Sequence, residues 1–89
     1  MIQVHVFYSG TVQGVGFRYT VRHFAAEQEL TGWVRNLPDG RVEILVEGKK
    51  EDIDRLLERI ADRFEGYVTD RTVRYGAPQG LPQGFNIVP

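Results

Sequence analysis

The spacing of apolar residues changes once in the first third of the chain. At the start they occupy every second position (Ile2, Val4, Val6 and Tyr8), which predicts a strand with one buried face. From Phe17 onward they recur every three or four positions, as on one face of a helix. We expect this helix to stop at Leu30-Thr31-Gly32, with the glycine as its C-terminal cap.

The middle of the chain predicts a hairpin followed by a second helix. Strands at Trp33 to Arg35 and Arg41 to Glu47 flank Pro-Asp-Gly, a sequence typical of tight turns. The second helix carries the longest apolar stripe of the chain and ends before Gly66. Its stripe consists of Ile53, Leu56, Leu57, Ile60, Ala61 and Phe64.

The last third predicts two strands joined by a loop. Tyr67 to Tyr75 is polar and rich in Thr, Val and Tyr, which favours an edge strand, and Phe85 to Val88 is a closing strand. The order strand, helix, hairpin, helix, strand predicts one domain over residues 1–89. Its fold class is α+β, a ferredoxin-like βαββαβ sandwich whose antiparallel sheet is covered on one face by two helices. Such a fold hosts many functions.

Composition excludes cysteine chemistry and bears on where in the cell we expect the chain to act. It has 89 residues and no cysteine, so thiolate catalysis and disulfides are excluded. No stretch reaches the roughly 20 apolar residues of a membrane span. The N-terminus lacks the basic and apolar regions of a signal peptide. We therefore expect a cytoplasmic protein with no membrane partner.

Charge is distributed unevenly along the chain. The formal net charge is −1, which argues against a general nucleic-acid binder. Residues 1–26 contain Arg18 and Arg22 but no acid, and the first acid is Glu27. A cationic region within a neutral protein favours a small anionic ligand over a polyanion.

The glycine-rich stretch GTVQGVGFR, residues 10–18, leads into the first predicted helix. It lacks the Lys-Ser/Thr pair of a Walker loop, and Tyr19 stands where a dinucleotide fingerprint needs glycine. Free backbone N–H groups, a helix N-terminus and Arg18 could together form an anion site. An ordinary strand-to-helix turn with an incidental surface arginine explains the same residues, so both interpretations stay open.

Asn36 is the second candidate, at the end of a short predicted strand. Its side chain either bonds its own backbone in the turn or holds a water molecule, since an amide can donate and accept at once. The strands that carry Gly10 and Asn36 could end on the same edge of the sheet. Asn36 would then lie beside the glycine-rich loop.

The histidine, hydroxyl and aromatic residues favour structural roles over catalytic ones. His5 and His23 have no third clustered ligand, so we expect no metal site. Hydroxyl groups near the loop lack an activating base. The aromatic residues are core candidates, namely Phe7, Phe17, Phe24, Trp33 and Phe64.

Two motifs together resemble the acylphosphatase family. They are GTVQGVGFR at residues 10–18 and GWVRN at residues 32–36, with Gly40, Val42 and Gly48 in step. The resemblance covers essentially the whole chain and implies hydrolysis of acyl phosphates to a carboxylate and phosphate, without metal or cofactor. It implies a phosphate-binding loop of Val12, Gln13, Gly14, Val15, Gly16, Phe17 and Arg18. Arg18 and Asn36 match the family's phosphate-binding arginine and water-positioning asparagine.

The same resemblance sets the expected partners. These are a small acyl phosphate as substrate and inorganic phosphate as product or inhibitor, with no nucleic acid and a monomeric state. Tyr8 departs from the family pattern, which usually has an aliphatic residue there, and so do Val88-Pro89 at the end. A non-catalytic phosphate-binding module, or an RNA-binding relative of the fold, is the competing class. Near-zero charge and the lack of RNA-binding aromatic motifs weigh against RNA.

Overall fold

Five strands and two helices make up the protein in a computed structural model that describes all of residues 1–89. In chain order they are β1 (Ile2–Gly10), α1 (Phe17–Glu27), β2 (Thr31–Asn36), β3 (Val42–Gly48), α2 (Lys50–Arg63), β4 (Val68–Gly76) and β5 (Phe85–Ile87). The strands form one sheet in the order β4-β1-β3-β2-β5. This topology confirms the predicted ferredoxin-like α+β class. Neither helix is long and apolar enough to cross a membrane.

Strand direction decides which chain segments meet. β1 and β2 each pair antiparallel with β3, so they run parallel to each other and finish at the same end of the sheet. Gly10 and Asn36 are their last residues, as the shared-edge hypothesis required. β4 lies at an edge beside β1, as predicted.

The fifth strand departs from the purely antiparallel sheet that the sequence suggested. β5 pairs parallel with β2, with Phe85 opposite Gly32 and Ile87 opposite Val34. The chain leaves β4 at one edge and crosses to the other through residues 77–84. It therefore reaches β2 from the end at which β2 begins, and it can only continue in the same direction.

The hydrophobic core lies between the helices and one face of the sheet. It is a single cluster of 18 buried side chains, and burial of each large one contributes about 1.5–3 kcal/mol. Alternate residues of β1 and β3 face α1 and α2, as the period-two pattern predicted. Phe17 and Phe64 occupy the centre, with ring centroids 4.6 Å apart. The core holds the start of α1 rigidly against the sheet.

The opposite face of the sheet carries no helix, and two predicted core aromatics lie there. Trp33 and Phe7 are only half-buried, because the buried residues of β1 and β2 that face the helices are even-numbered, and these two side chains point to the other face. Arg35 stacks over Trp33 at 5.0 Å, and Arg41 stacks over Phe7 at 4.8 Å. The core assignment of these two residues was wrong, since strand register rather than residue type decides the face.

The end of α1 also differs from the prediction. The residue with positive φ is Glu29 (φ 56°), and the amide of Leu30 returns to the carbonyl of Ala25. Gly32 lies inside β2, where an added Cβ would meet the Leu45 carbonyl oxygen at 2.0 Å. Gly32 therefore allows β2 and β3 to approach closely, and it does not cap the helix.

Candidate functional site

The N-terminal loop, residues 11–16, joins β1 to α1 at the end of the sheet where β2 also stops. The side-chain amide of Gln13 donates to the carbonyl oxygens of Leu37 at 2.8 Å and Arg41 at 3.0 Å. These two hydrogen bonds fasten the loop to the β2–β3 turn, directly after Asn36. The structure thus brings the two sequence motifs together.

The glycines of this segment have two different roles. Gly14 and Gly16 adopt φ of 77° and 79°, and no heavy atom approaches the position of an added Cβ within 4 Å. Their role is conformational, since a left-handed backbone costs other residues about 1–2 kcal/mol. At Gly10 an added Cβ would lie 2.3 Å from the carbonyl oxygen of Tyr67. Gly10 therefore admits the chain that enters β4.

The backbone N–H groups of the loop and the first turn of α1 are all free. None from Val12 to Tyr19 donates a hydrogen bond within the protein. The first helical bond runs from Thr20 N to Gly16 O at 3.1 Å, and the N-cap glycine offers no side-chain acceptor. We call the N–H groups of residues 12–19 the amide cluster. Such a cluster at a helix N-terminus attracts anions.

Arg18 stands at the second position of α1 and is half-buried. Its guanidinium forms no hydrogen bond, and the six ion pairs of the protein all lie elsewhere. No acid stands in this first turn. A cation there is unfavourable by about 0.3–1 kcal/mol, a cost that a bound anion would offset. A pocket of about 250 Å³ lies here, lined by Val12, Gly14, Gly16, Phe17, Arg18 and Tyr19.

Asn36 forms no side-chain hydrogen bond, and its Oδ1 is buried without a partner. The turn that follows is served by Asp39 instead, whose Oδ1 accepts from the Arg41 amide at 3.1 Å. The turn-forming interpretation of Asn36 is therefore not supported. Because a buried polar atom without a partner costs about 1–3 kcal/mol, this amide is suited to binding a group from outside the protein.

The only charged side chain that lines the pocket is that of Arg18. No carboxylate, imidazole or thiol lines it. The Thr20 hydroxyl is engaged, since it donates to Gly16 O at 2.8 Å. The arrangement can bind an anion and stabilise added negative charge, but it offers neither a protein nucleophile nor a protein base.

Known proteins share this architecture along its whole length. A family model described as Acylphosphatase matches residues 4–87. The chain belongs to the acylphosphatase family. An acylphosphatase from Trichormus variabilis is 47% identical over 88 residues, which cover 98% of this chain and 86% of that protein. The resemblance carried by the two motifs is thereby confirmed.

Solved structures of acylphosphatases agree in three dimensions. The crystal structure of acylphosphatase from Bacillus subtilis superposes with a TM-score of 0.91 at 41% identity, covering 99% of each chain. An acylphosphatase from Coxiella burnetii gives a TM-score of 0.85 at 34% identity, covering 97% of this chain and 90% of that one. The fold is therefore that of acylphosphatases.

Within this acylphosphatase fold, the predicted loop residues take different positions. Five of them line the pocket, whereas Gln13 anchors the loop through its side chain and Val15 packs against the core. Asn36 lies outside the pocket lining, at the end of the neighbouring strand. Sequence reasoning missed Tyr19, which also lines the pocket and exposes 61% of its surface. Its only sequence signal is its place beside Arg18.

Sequence reasoning also missed two buried carboxylates on the open face of the acylphosphatase sheet. Glu43 accepts from Arg35 Nε at 2.6 Å and lies 2.6 Å from His5 Nε2. Burial raises the pKa of Glu43, but the hydrogen bonds from Arg35 and His5 outweigh it and hold that pKa below its usual range. His5 therefore belongs to a hydrogen-bonded network with Glu43 and Arg35, and no group of three His, Asp or Glu side chains comes together.

Glu47 is the second buried carboxylate and accepts backbone hydrogen bonds from residues 77–84. Its donors include Gly80 N at 3.1 Å and Leu81 N at 3.0 Å. The amide of Gln79, the strongest contributor, and the other donors lower the pKa of Glu47 despite its burial. Both acids alternate along β3 with the core residues Val42, Ile44 and Val46, and no pattern in the sequence marks them as buried.

Proposed function

We propose that this chain hydrolyses acyl phosphates to a carboxylate and inorganic phosphate, with no cofactor or metal ion. The observation that carries the proposal is the amide cluster of residues 12–19 around an arginine that has no partner in the protein. The substrate is a small acyl phosphate, and inorganic phosphate is both product and inhibitor. Membership of the acylphosphatase family supports this substrate class.

The phosphoryl group binds in the pocket at the start of α1. Its oxygens accept hydrogen bonds from the amide cluster, and the planar guanidinium of Arg18 contacts two of them at once. Phosphoryl transfer spreads negative charge over these oxygens in the transition state. Donors that are fixed in place before the reaction stabilise this charge without reorganising.

Asn36 positions the attacking water, and its unpartnered side-chain amide is suited to that role. The water oxygen forms a bond to phosphorus while the bond between phosphorus and the acyl oxygen breaks, in line with the attack. The carboxylate leaves with the electron pair, and its low basicity removes the need for a general acid. The water proton passes to a phosphoryl oxygen, because the pocket holds no protein base.

The competing function is anion binding without hydrolysis, since both functions need Arg18. We would measure hydrolysis of benzoyl phosphate and acetyl phosphate in the presence of EDTA. We expect turnover well above the spontaneous rate, with competitive inhibition by inorganic phosphate. Phosphate binding without turnover would favour the binding module, and turnover abolished by EDTA would contradict the metal-free reaction.

The cellular form proposed is a monomeric domain over residues 1–89, acting in the cytoplasm without nucleic acid. The net charge of −1 supports the absence of a polyanionic partner. Sedimentation of the purified protein tests the monomer, and a dimer at micromolar concentration would contradict it.

A further inference from the structure

Tyr19 stands at the mouth of the pocket and is mostly exposed. The large hydrophobic side chains exposed in this protein are Met1, Tyr19, Tyr67 and Tyr75, and of these only Tyr19 lines the pocket beside Arg18. Single exposed aromatic residues are common on protein surfaces. An exposed ring that borders a phosphoryl site has a more specific use, because part of the substrate must lie next to it.

Arg22 contacts one face of this ring. Its guanidinium carbon lies 5.3 Å from the centroid of the Tyr19 ring, one turn further along α1. At an exposed site such a cation–π contact is weak. Most of the surface of the Tyr19 side chain remains exposed to solvent beside the pocket.

In-line geometry decides where the acyl group lies. The attacking water and the departing carboxylate occupy opposite sides of phosphorus. Asn36, which holds the water in the proposed mechanism, has a buried Oδ1, whereas Tyr19 is 61% exposed. In the proposed mechanism Asn36 holds the water on the buried side, so the carboxylate departs toward solvent. Tyr19 is the large exposed side chain that lines the pocket.

We propose that the Tyr19 ring is the acyl-side contact of the enzyme and that it favours acyl phosphates with an aromatic acyl group. This inference rests on the proposed function. An aromatic acyl group packs against the ring in an offset or edge arrangement, and an acetyl group is too small to do so. Tyr19 determines specificity and takes no part in the bond changes at phosphorus.

The test compares benzoyl phosphate with acetyl phosphate in the wild type and three variants. Tyr19→Ala is expected to lower the ratio of kcat/KM for benzoyl over acetyl phosphate by about 3- to 10-fold, mainly through a higher KM for benzoyl phosphate. Tyr19→Phe is expected to keep that ratio within about twofold, because it keeps the ring.

The matched control is Tyr75→Ala, since Tyr75 is 58% exposed on β4, where it pairs with Val4 away from the loop end of the sheet. Its substrate ratio is expected to equal that of the wild type. An unchanged ratio in Tyr19→Ala, or an equal fall in Tyr19→Phe, would overturn the inference while acetyl phosphate hydrolysis still upheld the proposed function. A wild type that hydrolyses neither substrate would overturn both.

Discussion

The two ends of the sheet each carry backbone N–H groups that make no strand or helix hydrogen bond, but only at one end do these groups find an acceptor in the protein. At one end, the C-terminal loop (residues 77–84) donates to the carboxylate of Glu47, from Gly80 N at 3.1 Å and Leu81 N at 3.0 Å. At the other end, the amide cluster of residues 12–19 has no internal acceptor. The two sets of N–H groups differ in whether the protein supplies a negative charge for them.

This difference separates a structural element from a candidate binding site. The carboxylate of Glu47 accepts hydrogen bonds from the C-terminal loop and holds it where the chain crosses from β4 to β5 at the far edge of the sheet. The amide cluster has no acceptor inside the protein, and Arg18 adds an unpaired positive charge, so the proposed function fills this position with an anion from outside. A set of N–H groups outside regular secondary structure therefore indicates function only where the protein itself supplies no acceptor.

The two helix N-termini repeat this contrast. The first turn of α2 contains Glu51 and Asp52, and its last turn contains Arg63, so its charges complement the helix dipole. The first turn of α1 has no acid and carries Arg18. This contrast is visible in the sequence, and it points to the same end of the molecule as the hydrogen-bond pattern does.

Removing the unpaired cation should break the contrast most severely. Arg18→Ala is expected to lower kcat/KM for acyl phosphates by about 10³-fold or more, the scale of losing an arginine that stabilises phosphoryl transfer. Arg18→Lys should fail almost as badly, because lysine cannot contact two oxygens in one plane. Steady-state kinetics with benzoyl phosphate measures both effects.

Arg55→Lys serves as the control for this comparison, since Arg55 is exposed on α2 and takes part in no ion pair of the protein. Near-normal turnover in Arg18→Lys would show that charge alone suffices and would contradict the two-pronged contact.

Removing the unpartnered amide should separate binding from turnover. Asn36→Ala is expected to lower kcat by about 10²-fold, the scale of one positioned polar group, while the inhibition constant of phosphate changes little. Kinetics and phosphate inhibition, measured on the same preparation, check this. If phosphate affinity fell and kcat held, Asn36 would belong to the phosphate cradle and the water-positioning role would be wrong.

Mutation of Tyr8 tests whether every buried polar atom without a partner, at the end of the sheet that carries the N-terminal loop, has a function. Its hydroxyl is buried without a hydrogen-bond partner, as is Asn36 Oδ1. Burial raises the pKa of Tyr8 from 10.0 to about 12, against a smaller opposing effect of Arg71. Between these values the unfolded chain loses the proton and the native protein keeps it, so native stability falls as pH rises.

Tyr8→Phe should remove that part of the pH dependence. We expect the wild type to lose about 2 kcal/mol more than the variant between pH 8 and about pH 11.5, by the 1.36 kcal/mol per pKa unit relation. Urea unfolding at both pH values measures it. Turnover at neutral pH should stay within about twofold. Parallel stability curves for the two proteins would show that Tyr8 ionises normally.

Glu47→Gln tests the C-terminal loop, whose N–H groups donate to Glu47. This variant is expected to have the smallest effect on catalysis. The neutral amide is a poorer acceptor, so the amides of residues 79–81 should exchange with solvent faster while those of residues 12–19 do not change. Hydrogen exchange followed by mass spectrometry checks this. Faster exchange in both loops would show that the two ends of the sheet are coupled.

The acid side of the stability curve offers a second measurement on the same variant. Because hydrogen bonds lower the native pKa of Glu47, its stabilising contribution is present above the ordinary carboxyl pKa and is lost as pH falls through the lowered value. The wild type should therefore lose stability more steeply on acidification than Glu47→Gln does. Equal slopes would place the acid sensitivity in other carboxylates.

Local patterns in the sequence were enough to predict the element types and the edge position of β4, and they marked residues 10–18 as a candidate anion site. Those properties are local, since periodicity, turn chemistry and the charge of a helix turn act between near neighbours in the chain. The two motifs also carried the family, which the comparisons confirm. The motif residues themselves did not reveal which glycine frees the backbone and which admits another strand.

Properties that depend on distant partners became apparent only in the folded protein. Strand register placed Trp33 and Phe7 on the open face, and it buried Glu43 and Glu47 among donors far away in sequence. The parallel pairing of β5 followed from the path of residues 77–84. Hydrogen-bond satisfaction, which separated the free amide cluster from the filled one, is a property of the whole fold and cannot be derived from any single segment.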